Sequence, residues 1–273
     1  YKGGIFMQML RRELAPISSE AWRLIDDQIA KSLRSKLSVR RFVDVKGPLG
    51  WAHAAEGQGH LEKLADQGGV SYGVHKVRPL VEMRCPFSLD AWALDDALRG
   101  ARDVDLSAAE AAADCAAAFE EKVLYHGLKD AAIEGFANQS VHPGVKLQAG
   151  HGANIQAAIA SALRMMQSDS TVCGPYALVA GKALQEEMDK MLGNHTLHNA
   201  LLKLDGLDEI IYSPYYDGAF LVSTRGGDFE LTLGQDFSVG FQGIDKGKIN
   251  LYIAESFTFA VFEPRAYVPL TLV

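Results

Sequence analysis

The sequence predicts an α+β fold with an arm that projects from its body. Helical stripes and strand-like runs are mixed without the strand–helix–strand rhythm of a parallel sheet. The last third reads as long strands between glycine-rich turns. Between them, a glycine-punctuated stretch from Val39 to Lys76 sustains no helical period.

Pro16-Ile17-Ser18 opens the first helix, with Ser18 suited to the N-cap and Ile17 placed to staple onto Trp22. Trp22, Ile25, Ile29, Leu33 and Leu37 recur at helical spacing, so the helix buries one side. In the next stretch Gly47-Pro48, Gly50, Gly57, Gly59 and Gly68-Gly69 interrupt any regular pattern. A structureless loop of that length is improbable in a compact domain. The stretch is read as a two-stranded excursion whose unpaired edges a partner subunit would cover.

From Pro79 to Asp90, Val81, Met83, Cys85, Phe87 and Leu89 alternate with polar residues, the pattern of a half-buried strand. Ser107 and Glu110 are spaced as a capping box for an alanine-rich helix through about Leu124, ended near Gly127. At ~1.5 Å per residue this helix is about 30 Å long. A further helix from about Asn154 carries Ile155, Ile159, Leu163 and Met166 on one face. Gly174-Pro175 precedes a strand over Tyr176 to Val179, and Lys182 to Leu192 is helical in composition. Strands follow over Ala219 to Ser223, Phe229 to Leu233 and Ile249 to Val261. The last puts Ile249, Leu251, Ile253, Phe257, Phe259 and Val261 on one face.

A hydrophobic fraction of 48% supports a core without disulfide or metal staples. The formal charge of -7, with no basic tail, argues against nucleic acid as a partner. Cys85, Cys115 and Cys173 form no CxxC and are expected to be reduced, packed as small apolar residues. No run reaches the ~20 apolar residues of a membrane span, and Tyr1 to Phe6 lack the layout of a signal peptide. The chain is therefore read as cytoplasmic, with Met7 as its biological start and residues 1–6 left out of the fold.

No catalytic constellation stands out. Arg225-Gly226-Gly227-Asp228 and Gly57-Gln58-Gly59 lack the features of a phosphate-binding loop and read as turns. GxSxG is absent. His195 and His198 are close enough to share a helix face, but no HExxH or third ligand joins them, so no metal site is expected. Asp26-Asp27, Asp95-Asp96 and Glu120-Glu121 are read as solvated faces.

Several segments, in order along nearly the whole chain, resemble encapsulin shell proteins, also called linocin-type proteins. They are Leu14-Ala15-Pro16-Ile17 through Trp22, Ile25 and Asp26; Arg40-Arg41-Phe42-Val43-Asp44-Val45 with Gly47-Pro48-Leu49-Gly50-Trp51; and Leu89-Asp90, Trp92, Leu94-Asp95 with Val104-Asp105-Leu106. Gly174-Pro175-Tyr176, then Arg225-Gly226-Gly227-Asp228-Phe229 through Leu233-Gly234-Gln235-Asp236, and Glu255 with Phe257-Thr258-Phe259 complete the set.

The resemblance implies the capsid fold of tailed phages, the Hong Kong 97 type. On that reading 7–46 form the N-terminal helix and the start of a P-domain, 47–76 an extended E-loop, and 77–134 the P-domain with its spine helix. Residues 135–211 form an A-domain, and 212–273 are return strands. It implies a non-enzymatic shell that self-assembles into an icosahedral nanocompartment of about sixty copies. Cargo enzymes of the peroxidase or ferritin-like class would be loaded by C-terminal targeting peptides.

Carried over by position, Arg40, Phe42 and Asp44 would dock the cargo peptide, the alternative being that Arg40 and Asp44 fix the helix exit. Gly193, Asn194, His195 and Thr196 would line a fivefold pore. Trp92 would stack a flavin, as in some relatives, where a packed structural tryptophan is the plainer reading; no cofactor is required.

A phage major capsid protein would share the fold, though the docking helix opening near the start of the chain favours the cellular compartment. A secreted bacteriocin or protease is a second alternative, with neither secretion signal nor catalytic constellation behind it. A metal-dependent enzyme using His195 and His198 is a third.

Overall fold

The structure is a computed structural model, and residues 9–64, 66 and 68–273 are described. The start at Met7 and the exclusion of residues 1–6 lie outside the described residues.

The first helix, α1, runs over Ser19–Lys36, with Ser18 Oγ accepting from Ala21 N at 3.1 Å as the predicted N-cap. It buries Ala21, Ile25, Ile29 and Leu33, while Trp22 lies at the rim beneath the Arg12 guanidinium, 4.0 Å from its ring centroid. After α1 a short 3₁₀ turn leads into β1 (Asp44–Lys46). The predicted excursion is a two-stranded antiparallel ribbon of β2 (Ala55–Lys63) and β3 (Gly73–Pro79). Strand β4 (Val81–Asp90) alternates as expected, with Met83, Phe87 and Leu89 buried.

Helix α2 (Ala91–Leu98) is capped by Asp90. The long helix α3 (Ser107–His126) occupies its predicted place, but the capping box does not form. Leu106 is the cap residue, the Asp105 carboxylate accepts from Ser107 N at 3.0 Å, and the Glu110 carboxylate accepts from the Gln28 side chain on α1. Asp105 takes the capping role because Ser107 is already the first helical residue.

Strand β5 (Val145–Leu147) and helix α4 (Gly152–Ser168) follow, with Ile155, Ile159, Leu163 and Met166 all buried. Next come β6 (Tyr176–Ala180) and α5 (Lys182–Met188). The helix expected to reach Leu192 stops at Met188, because Met191–Leu192 (β7) turns back on His195–Thr196 (β8). Gly193, with φ of 63°, makes that reversal. Helix α6 (Leu197–Leu201), β9 (Leu207–Tyr212) and β10 (Ala219–Ser223) lead to the ribbon of β11 (Phe229–Asp245) and β12 (Lys248–Val261). The chain ends in β13 (Tyr267–Leu272).

Two main sheets result. One has the order β1-β11-β12-β4, the other β5-β13-β10-β6-β9. The second mixes strands of residues 145–212 with β10 and β13, so no single cut in the sequence separates the two halves of the body. Each sheet has its own core. The first packs Ile25, Ile29 and Leu33 of α1 and the alanines of α3 against β4 and the far end of the ribbon. The second surrounds the five-stranded sheet with α4 and an aromatic cluster of Phe42, Tyr125, Phe136, Phe220, Phe229 and Tyr267.

The last ribbon strand departs from its predicted single face. Ile249, Leu251 and Ile253 belong to the first core, whereas Phe257 and Phe259 belong to the second. A long twisted strand turns the same parity of side chains toward different neighbours along its length. Helix α3 spans the seam as well, with Ala109 to Ala117 in the first core and Val123 to Tyr125 in the second.

Candidate functional site

Where the two cores meet, three carboxylates gather around Arg40, and a fourth, Glu121, holds the neighbouring Ser38 and Val39. Glu120 and Glu121 come from the middle of α3, Glu255 from β12 between Ile253 and Phe257, and Asp236 from β11. Glu120, Glu121 and Glu255 are 0% exposed. The reading of Glu120-Glu121 as a solvated face is thereby corrected: the pair faces the seam between the cores.

The Arg40 guanidinium grips Glu120 from two nitrogens, Nε to Oε1 at 3.0 Å and Nη2 to Oε2 at 2.6 Å. It also donates from Nη1 to Asp236 Oδ1 at 2.9 Å and from Nη2 to Glu255. It lies 4.9 Å from the Phe237 ring centroid. Burial works against the cation, but hydrogen bonding to Glu120 and the charges of Glu120, Glu255 and Asp236 outweigh it and raise its pKa.

Burial, then the Glu120 charge, holds the Glu255 carboxyl well above the usual carboxylate range. Glu255 Oε2 has no donor among the described residues, and the carboxyl is near enough to Glu120 for the two to share a proton. Glu121 forms a second polar node. It accepts from Val39 N at 2.9 Å and from the Ser38 hydroxyl, whose oxygen lies 2.6 Å from the Tyr125 hydroxyl. Burial pushes its carboxyl up to about 7, despite the lowering by those donors.

The other two residues of the expected docking segment also have partners within the chain. Phe42 is 6% exposed, with its ring among Phe136 and Phe220, so that side chain presents no surface to a peptide. Asp44 Oδ2 accepts from Gly227 N at 2.5 Å. That bond pins the Arg225-Gly226-Gly227-Asp228 turn, in which both glycines have φ above 80° and Arg225 grips Asp228 from two nitrogens. The motif is a turn, as its composition suggests.

The arm begins where Leu49 N and Gly50 N donate to Leu233 O and Gly234 O at 3.0 and 2.6 Å. A Cβ on Gly47 would stand 2.4 Å from Leu233 O, so glycine permits this close seating. Beyond it, Leu61, Leu64, Val70, Tyr72, Val74 and Val77 are each 41–64% exposed.

Gly193, Asn194 and His195 stand exposed at the tip of the β7–β8 hairpin, and Thr196 caps α6 by accepting from Asn199 N. His195 and His198 thus lie on a strand and on a helix, not on one helix face. Among the described residues no group of three or more histidines, cysteines or acids is placed to hold a metal. Trp92 is 76% exposed on the first turn of α2, so it is not a packed structural tryptophan. An exposed ring is a stacking face without walls, and one chain does not by itself enclose a flavin there.

The fold defines the class of protein. It is similar to that of the virus-like particle from Pyrococcus furiosus, with a TM-score of 0.63 at 16% identity over 92% of this chain and 99% of that one. The capsid of Myoviridae phage XM1 gives 0.57 at 14% identity, over 87% and 92%. This is a capsid fold. Residues 7–258 match the family described as encapsulating protein for peroxidase. The type 1 encapsulin shell protein of Rhodospirillum rubrum is 36% identical over 97% of this chain and 96% of its own length. The chain belongs to the type 1 encapsulin, or linocin-type, family of structural, self-assembling shell proteins that are not enzymes. No helix among the described residues is long and apolar enough to cross a membrane.

Proposed function

We infer that this chain closes into a cytoplasmic icosahedral shell of about sixty copies, enclosing a peroxidase or ferritin-like enzyme that arrives by a C-terminal targeting peptide. The observation that carries this reading is the arm. An isolated two-stranded ribbon is marginal in water. One with six exposed apolar side chains and free edges is built to be covered. A neighbouring subunit supplies the cover, so the arm is the E-loop. On this reading α3 is the spine helix of the P-domain, and residues 135–211 are the A-domain, completed by β10 and β13.

Replacing residues 57–74 by a two-residue turn tests this. The body, whose two cores exclude the arm, is expected to fold and to sediment as small oligomers. Closed shells formed by the shortened chain would remove the arm from the assembly interface.

Cargo docking is assigned to the segment of Arg40, Phe42 and Asp44, with Phe42 acting from below as its packed support. Asp44→Asn is the clean test, because the amide oxygen still accepts from Gly227 N while the charge is lost. Retention of a peptide-tagged reporter is expected to fall severalfold with assembly intact, and unchanged retention would take Asp44 out of the site. The hairpin tip at Gly193, Asn194, His195 and Thr196 is assigned to the pore mouth, where copies of His195 would respond to pH. Nucleic acid is not proposed as a partner, in keeping with a formal charge of -7 per chain. Flavin is not required.

A further inference from the structure

The aromatic cluster of the second core is not sealed. A cavity of about 260 Å³ opens beside it, walled by β10, β13 and the turn before β10. Phe136, Phe220 and Tyr267, each 1% exposed, line it together with Leu270. An apolar cavity of about 150 Å³ already takes a benzene ring, and sites for larger ligands run to about 300–1,000 Å³. The size therefore suits one ring with a small substituent. Tyr267 meets Phe136 at 5.3 Å and 86°, and Tyr216 meets Phe220 at 5.5 Å and 68°. Walls of tilted rings offer a guest ring the edge-to-face contacts that aromatic pairs prefer.

The wall also carries a hydroxyl without a partner. Tyr267 donates its own to Phe136 O at 2.5 Å. The Tyr216 hydroxyl makes no hydrogen bond among the described residues, and burial raises its pKa. Its oxygen lies 2.8 Å from the place that a Cβ on Gly218 would take. Tyr216 and Gly218 both line the cavity, so the absent side chain at Gly218 leaves that hydroxyl its place on the wall. Stacking on Tyr125, with centroids 4.5 Å apart and planes at 18°, fixes the Tyr216 ring. Asp217, exposed and in no ion pair among the described residues, lines the cavity next to it.

We propose that this cavity binds a small uncharged aromatic molecule carrying a hydroxyl, a phenol, whose ring packs among Phe136, Phe220 and Tyr267 and whose oxygen pairs with the Tyr216 hydroxyl. Water in such a space finds few partners, and displacing it by a ring is favourable. An anionic ring is disfavoured twice, by apolar walls and by the Asp217 carboxylate. The site needs the folded chain and not a closed shell, so it stands apart from the reading of enclosure.

Equilibrium dialysis of the purified protein against phenol, toluene and benzoate tests the proposal. Phenol is expected to saturate at one molecule per chain, to compete with toluene and to bind at least tenfold tighter than benzoate. Tyr216→Phe should weaken phenol about tenfold, the loss of one hydrogen bond, and leave toluene unchanged. Ala137→Phe, at an exposed position lining the cavity, should abolish binding of both. Absence of saturable phenol binding, or benzoate bound as tightly as phenol, would overturn the proposal on the unsubstituted protein alone. Equal losses of phenol and toluene in Tyr216→Phe would remove the hydroxyl from the site, and undiminished binding in Ala137→Phe would place the site elsewhere.

Discussion

Arg40→Ala is expected to destabilise the subunit by about 3–5 kcal/mol, the usual loss when one partner of a buried ion pair is removed. Glu120 and Glu255 are wholly buried, and Arg40 is the cation that both touch. Without it, two carboxyls at the seam must be protonated or hydrated at the junction of the two cores. The denaturation midpoint of the assembled protein should fall by about 1–5 M urea at a typical slope of about 1–3 kcal/mol/M. Arg40→Lys keeps the charge but not the two-pronged grip on Glu120, and should lose less. Adding Glu255→Gln to Arg40→Ala should recover part of the deficit, since it removes one of the stranded acids. A midpoint unchanged in Arg40→Ala would show that the seam is hydrated and does not hold the cores together.

The second large effect is a pH dependence set by Glu121. Its folded carboxyl titrates at about 7, against an ordinary 4.5. The folded state therefore holds a proton that the unfolded chain has already released. Below about 4.5 both states are protonated and the full contribution is present. As pH rises from 4.5 toward 7 the contribution is lost, and above 7 the loss is complete, about 3 kcal/mol in all. Glu255 acts in the same direction. The groups facing Glu121 are Ser38, Tyr125, Glu120 and the Val39 N–H, so no cation touches it directly to reverse the sign. In Glu121→Gln the midpoint should vary less between pH 5 and pH 8 than in the unsubstituted protein, and its relative stability should improve at pH 8. An equal pH slope in both proteins would place that titration elsewhere.

Much of the fold was legible because it is local. The stripe on α1, the alternation on β4 and the one-face pattern of α4 each depend on residues within a few turns of one another, and all three appear as read. The arm was legible by elimination, from a stretch with too many glycines for a helix and too much length for a loop.

What escaped was set by distant partners. Arg40 is drawn to Glu120 and Glu255 from 80 and 215 positions away, and nothing in a glutamate pair on an alanine-rich helix says that its face is the seam between two cores. The helical composition of Lys182 to Leu192 conceals the hairpin that turns at Gly193. The cysteines, read as packed small apolar side chains, are not buried: Cys115 and Cys173 are exposed and Cys85 is half-buried. For the proposed docking segment, position was readable and orientation was not: the ring of Phe42 points into the aromatic cluster.

Enclosure is the central claim, and one measurement meets it directly. Electron microscopy of the purified chain, with the particle mass determined alongside, should show uniform hollow particles of about sixty 29.6 kDa subunits, about 1.8 MDa. A chain that remains a folded monomer or dimer at high concentration, with no closed particles, would contradict it.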